Sequence, residues 1–142
     1  MLHKAKLERV VNERVRGTTP LHEACLRGQF VSVKWLLDVN ADPLAMNRSG
    51  CIPLHFVAQH QDGESAVQII DLILQYAPTL NPNHMNERQD TPMHYAAYNT
   101  NDNASTSTFC ILFFSHGPFF YRNRFVRRFR YCSQVLIRLH KC

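Results

Sequence analysis

Apolar and polar positions follow one order along the chain, and the order is written three times. In the first copy Leu21, Ala24 and Cys25 stand at i, i+3 and i+4, an apolar stripe on a short helix. Pro20 opens that helix at no cost, because a first-turn residue has no intrahelical partner for its N–H. Thr19 is placed to cap it through its hydroxyl. Arg27-Gly28-Gln29 then breaks the pattern and permits a reversal. Val31, Val33, Trp35, Leu36 and Leu37 predict a second helix, which Asn40-Ala41-Asp42-Pro43 ends. "CIPLHFVA" from Cys51 followed by residues 65–78 repeats the order, and so does "DTPMHYAA" from Asp90 followed by residues 106–118. A single helix pair cannot enclose its own apolar face. Stacking neighbours closes it, so the pattern predicts an all-α solenoid of helix pairs joined by loop or hairpin turns.

The spacing is not uniform. Pro20 and Pro53 are 33 residues apart, and Pro53 and Pro92 are 39 apart. The surplus of the second copy is expected in the polar run 59–65 between its helices, with two further residues in the loop 77–90. In the third copy it is expected in the Asn/Ser/Thr tract 99–107.

A period near 33 with Thr-Pro-Leu-His resembles the ankyrin repeat. Thr19, Pro20, Leu21 and His22 carry it first, then Pro53, Leu54 and His55, then Thr91, Pro92, Met93 and His94. Upstream, Ala41, Asp42, Asn47 and Gly50 fall in step with the family's Gly-Ala-Asp…Asp-x-x-Gly-x-Thr-Pro. Gly17 and Asn86 do the same in the outer copies, with Gln89 where glycine is usual. The resemblance covers about residues 10–118 and implies units at about 17–49, 50–88 and 89–118, with 119–142 as a separate cap or tail. It also implies that the three repeat histidines tie adjacent units together through backbone hydrogen bonds, a structural use that requires a defined tautomer. The loops and first helices would line a concave groove. Carried over slot by slot, groove residues are Arg16, Thr18, Glu23, Arg27, Arg48, Ser49, Phe56, Gln59, His60, Arg88, Asp90, Tyr95, Tyr98 and Asn99, together with Val15, Leu26, Cys51 and Glu87. Tyrosine and arginine are the side chains that most often carry binding energy. Phe56 and Tyr95 also read as residues packed between units, whereas Tyr98 reads as exposed.

The two ends read differently. At the start, Leu7, Val10 and Val11 belong to a worn outer helix and are expected to cover part of the first unit, which otherwise serves as its own cap. At the other end the repeat dissolves. Residues 1–102 hold nine Lys/Arg and all eleven Asp/Glu, whereas residues 103–142 hold seven Lys/Arg and no acid. Three readings of the end stay open: a divergent helical cap built on Val135, Leu136, Ile137 and Leu139, a basic tail, or a segment of altered splicing or gene boundary. Some ankyrin proteins end in an adaptor box of the form Leu-x-x-x-Cys-x-x-x-apolar. Cys132 and Leu136 fit its second half, but Arg128 stands where the leucine belongs.

Candidate chemistry is sparse. There is no Gly-rich phosphate loop, no G-x-S-x-G and no H-E-x-x-H, so no catalytic residue is assigned and the chain reads as non-enzymatic. His60, Asp62 and Glu64 form a polar loop cluster of the kind that is usually just solvated, and no metal or cofactor is implied. Five cysteines at wide gaps spell no CxxC and favour a reducing compartment. No apolar run is long enough for a membrane span and no signal peptide is written, so the chain is expected in the cytoplasm or nucleus. The function expected is that of a non-catalytic module binding a partner protein through the groove. The alternative is an adaptor whose tail, with "YRNRFVRRFRY" at 121–131, binds nucleic acid or an acidic membrane surface.

Overall fold

The structure is a computed structural model that describes residues 2–59 and 63–98. Six helices form among the described residues: α1 (Leu2–Val11), α2 (Pro20–Leu26), α3 (Phe30–Asp38), α4 (Pro53–Ala58), α5 (Gly63–Tyr76) and α6 (Pro92–Tyr98). Helices α2 and α3 make the first pair, and α4 and α5 the second. The first helices α2, α4 and α6 stack in one row, and α3 packs on α5 in the other. Among the described residues no strand forms; the one bridge, Val15 to Thr18, closes a hairpin turn. The fold is all-α, as the periodicity predicts. The third unit's second helix and the 119–142 segment lie outside the described residues, as does the surplus expected in 99–107.

The reversals follow from backbone chemistry. After α2, Gly28 turns left-handed, its N–H reaches the Cys25 carbonyl at 3.2 Å, and the Gln29 N–H reaches Ala24 at 3.1 Å. After α3, Asn40 does the same, with the Asn40 and Ala41 N–H groups on Leu37 and Leu36 at 3.1 and 2.8 Å. These paired bonds satisfy helix-end carbonyls that otherwise lack a partner.

The second-unit surplus sits elsewhere than expected. Helix α5 starts at Gly63, as far from Pro53 as α3 starts from Pro20, so residues 63–65 of the 59–65 run belong to the helix. The extra residues extend the helix, which has 14 residues against nine in α3. The physical reason is the apolar face. Ala66, Ile69, Ile70 and Ile73 keep the i, i+3, i+4, i+7 series from the first turn of α5, and all four are buried. Helix α3 also corrects an expectation. Val33, Leu36 and Leu37 are buried, but Val31 is 80% exposed and Trp35 53% exposed. At 3.6 residues per turn, positions 31 and 35 fall on the face opposite the stripe made by 33, 36 and 37. Of the three residues expected to cover the first unit, only Val11 is buried; Leu7 and Val10 face solvent. The contact is made instead by Asn12, whose amide N–H groups donate to the Glu8 and Asn40 carbonyls and whose oxygen accepts the Asp42 N–H at 2.8 Å.

Two of the hairpin turns share one plan. Asn47 Oδ1 accepts the N–H groups of Ser49 and Cys51, and Asn86 Oδ1 accepts those of Arg88 and Asp90, each at 2.9 Å. Each turn then needs a left-handed residue, Gly50 (φ 74°) in one and Gln89 (φ 63°) in the other. A side chain there costs roughly 1–2 kcal/mol, partly offset by the smaller chain entropy that a non-glycine loses on folding. Gln89→Gly is therefore expected to stabilise the protein by about 0.5–1 kcal/mol, read as a rise in the urea midpoint with the slope unchanged.

Candidate functional site: the hairpin and first-helix face

The Thr-Pro-Leu-His motif builds the frame of this face. Leu21, His22, Leu54 and His55 are each 1% exposed or less, Thr19 and Thr91 are 3% and 4%, and Pro53 and Pro92 are also buried. Pro20, Met93 and His94 are half-buried. His22 Nδ1 accepts the Thr19 N–H at 3.3 Å, and its Nε2 donates to the Cys51 carbonyl of the next unit at 2.9 Å. His55 repeats the arrangement, accepting the Ile52 N–H at 3.2 Å and donating to the Asp90 carbonyl at 3.1 Å. His94 Nδ1 accepts the Thr91 N–H at 2.9 Å. Each ring thus caps its own helix and, for the first two, bonds the turn of the following unit. The Thr19 hydroxyl goes to the imidazole, at 2.8 Å, and not to a backbone N–H as expected. The position tolerates Ile52 for the same reason: the histidine supplies the cap and the side chain before the proline need not.

An Nδ1 that accepts a backbone N–H fixes the Nε2–H tautomer and keeps the ring neutral. Burial lowers the pKa of His22 and of His55, with the bonds to Cys51 and Asp90 pulling the other way. Below the ordinary value of 6.5 the unfolded chain takes up protons that these folded rings refuse. Their contribution to stability is therefore complete above about pH 6.5 and is lost as the pH falls towards their lowered values. The urea midpoint is expected to be lower at pH 5.5 than at pH 7.5, with the loss reduced in a His22→Gln/His55→Gln variant relative to its own pH 7.5 value.

Phe56 and Tyr95 occupy one slot in successive units, and each ring meets the preceding unit's histidine edge-on. Phe56 lies 5.4 Å from His22 and Tyr95 5.3 Å from His55, centroid to centroid. Both are half-buried, so their packing role is realised and each ring keeps part of its surface exposed. The Tyr95 hydroxyl meets Cys51 Sγ and the Asn86 amide, both at 3.2 Å. Burial, then the contact with Cys51, pushes its pKa up to about 12. Cys51 itself is 1% exposed, so it belongs to the junction between units and not to the groove surface where slot matching put it. Cys25 and Cys51 are both free and buried, and burial raises the Cys25 thiol well above its usual range.

The remaining slot-matched positions are exposed or half-buried. Arg16, Arg48, Ser49 and Arg88 are exposed on the hairpins with Val15 and Glu87; Thr18 and Asp90 are half-buried. On the first helices Glu23, Leu26, Arg27 and Gln59 are exposed, and Arg27 pairs with Glu23 at 2.9 Å. An exposed pair one helical turn apart is worth only about 0.3–0.5 kcal/mol, so it orients the two side chains more than it stabilises the fold. His60 and Asn99 lie outside the described residues, as does the Tyr98 side chain. His84, which the repeat pattern did not single out, donates through Nε2 to the Gly50 carbonyl at 3.1 Å and meets His55 edge-on at 6.0 Å. Nothing in the period signals it, because the corresponding residue of the preceding unit is Ala45. Among the described residues no group of three His, Cys, Asp or Glu is placed to hold a metal ion.

Comparison with known proteins gives this geometry a family context. The family model described as Ankyrin repeats (3 copies) matches residues 2–83 and 21–118. The chain is 36% identical over 87 residues to human "Ankyrin repeat and SOCS box protein 16", covering 61% of this chain and 18% of that protein. It is 32% identical over 106 residues to the Caenorhabditis elegans "Transient receptor potential cation channel subfamily A member 1 homolog", covering 61% of this chain and 9% of that protein. The chain thus spans a fifth or less of the length of these two relatives.

Proposed function

The chain belongs to the ankyrin-repeat family, and from that premise we propose that it holds another protein on the face formed by its hairpins and first helices. Ankyrin repeats are generally protein-interaction modules and typically non-enzymatic. The observation that carries the reading is a division of labour within each unit. The motif residues are buried in the frame, while Arg16, Glu23, Arg27, Arg48, Gln59 and Arg88 stand exposed at slots that recur from unit to unit. A stacked frame of this kind offers an extended rigid surface, suited to shape complementarity rather than to enclosing a small substrate. Phe56 and Tyr95, already fixed by the histidines behind them, lose little further freedom on binding. Among the described residues no helix is long and apolar enough to cross a membrane, and with two free buried thiols we place the module in a reducing compartment.

A photo-crosslinking amino acid placed at Gln59 and, separately, at Lys34 on α3 tests the reading in expressing cells. A discrete protein adduct from Gln59 and none from Lys34 is expected. Adducts from Lys34 alone would contradict it. A second reading rests on the acid-free composition of residues 103–142, which suits nucleic acid or an anionic lipid surface. Association of the full chain with RNA that weakens steeply with salt, while the Gln59 adduct is absent, would favour that reading.

A further inference from the structure

Resting on the proposal that this face holds a protein, we infer that the segment seated on the first two hairpins is acidic, with apolar residues between its carboxylates. Arg14, Arg16 and Arg48 are all exposed there, and none of them forms an ion pair among the described residues. Their backbones are fixed. Arg16 sits left-handed (φ 55°) in a turn closed by two bonds between Val15 and Thr18, at 2.8 and 3.1 Å. Arg48 lies across the neighbouring turn: a Cβ on Gly17 would come within 2.5 Å of Arg48 Cγ and 2.8 Å of Nε. The bare Cα of Gly17 is thus the bed on which the arginine stem rests, and Gly17 with φ 89° is held glycine by its backbone as well. Two guanidinium groups carried from adjacent rigid turns match carboxylates through their fixed forks of donors.

The third hairpin sets the limit of the field. In the slot of Arg48 it carries Glu87, whose Cγ lies 3.5 Å from where a Cβ on Gly50 would be, the same placement over the preceding turn. Glu87 also bonds that turn through its N–H, to the Ser49 carbonyl at 2.9 Å. Arg88 beside it offsets Glu87, and Asp90 leaves the third turn with no positive excess. The excess of positive charge is therefore confined to the first two turns, and it points the acidic part of a bound segment to that end. Apolar contact is available at the same tips. Val15 is 64% exposed and Met46 47% exposed, each next to or flanking the arginines. Methionine adapts to varied apolar side chains, and complementary charge sets the orientation and encounter rate.

Selecting random peptides on the immobilised full-length chain, then measuring a fluorescent copy of the selected peptide by anisotropy, tests this. Acidic peptides are expected, with affinity lowered about tenfold or more by R16E/R48E and only a few-fold by R16K/R48K, which keeps the charge and loses the fork. Circular dichroism confirms that each variant is folded. A photo-reactive copy of the peptide should crosslink to the first two hairpins. Peptides that crosslink to the hairpin and first-helix face but are basic or neutral, or are indifferent to R16E/R48E, overturn the inference and leave the protein-holding proposal standing. Crosslinks confined to the outer helices or to residues 119–142, or no selected peptide at all, count against both.

Discussion

His55→Ala is expected to cost about 3–5 kcal/mol, measured as the fall in unfolding free energy from urea titration. The ring is 0% exposed, caps α4 through Ile52, bonds the third unit through Asp90 and meets the Tyr95 ring. Removing it leaves the buried Ile52 N–H without its partner, at about 1–3 kcal/mol, takes one of two donors from the Asp90 carbonyl, and opens a cavity beside them. The loss is a large share of the 5–15 kcal/mol that ordinarily holds a domain together. His84→Ala is the internal control. His84 is half-buried and makes one bond, to Gly50, so its loss should be about 1 kcal/mol. Equal losses at the two positions would contradict the role assigned to the repeat histidine.

Ile73→Ala is expected to cost a comparable amount, about 2–5 kcal/mol. Ile73 is 0% exposed and belongs to the core that joins α3, α4 and α5. Helix α5 cannot close over the gap, because Ile69, Ile70 and Leu72 on the same face are already committed to their own contacts. Gln75→Ala, two residues on and exposed, should change stability by less than about 0.5 kcal/mol. The two variants together test whether α5 presents the face described; a large loss at Gln75 would mean that the helix is rotated.

The helix pairs, their order and the role of the repeat histidines were legible because each rests on a local rule. Pro at a helix start, apolar residues at i, i+3 and i+4, and a left-handed residue after a helix end act within a few positions of the chain. What was misread depends on distance or on rotation. Whether the surplus of the second unit becomes loop or helix depends on whether Ala66 finds a buried face, which only packing decides. Val31 and Trp35 are apolar letters inside a helix, and only the angle fixed by Val33, Leu36 and Leu37 turns them outward. Cys51 occupies a hairpin slot that is only half-buried in neighbouring turns, yet here it lies under Asn86 and the Tyr95 hydroxyl, 35 and 44 residues away. The bed that Gly17 makes for Arg48 was hidden for the same reason, since a glycine in a turn is explained by its backbone before its neighbours are known.

His22 and His55 are neutral links from one unit to the next. Nitrogen-15 NMR of the histidine side chains measures this directly, since ring shifts report which nitrogen carries the proton and at what pH the second arrives. His22 and His55 are predicted to be Nε2–H tautomers with protected Nε2 protons, and to stay neutral below pH 6.5. Rings that are protonated on Nδ1, or that titrate freely near 6.5 like exposed histidines, would contradict the account.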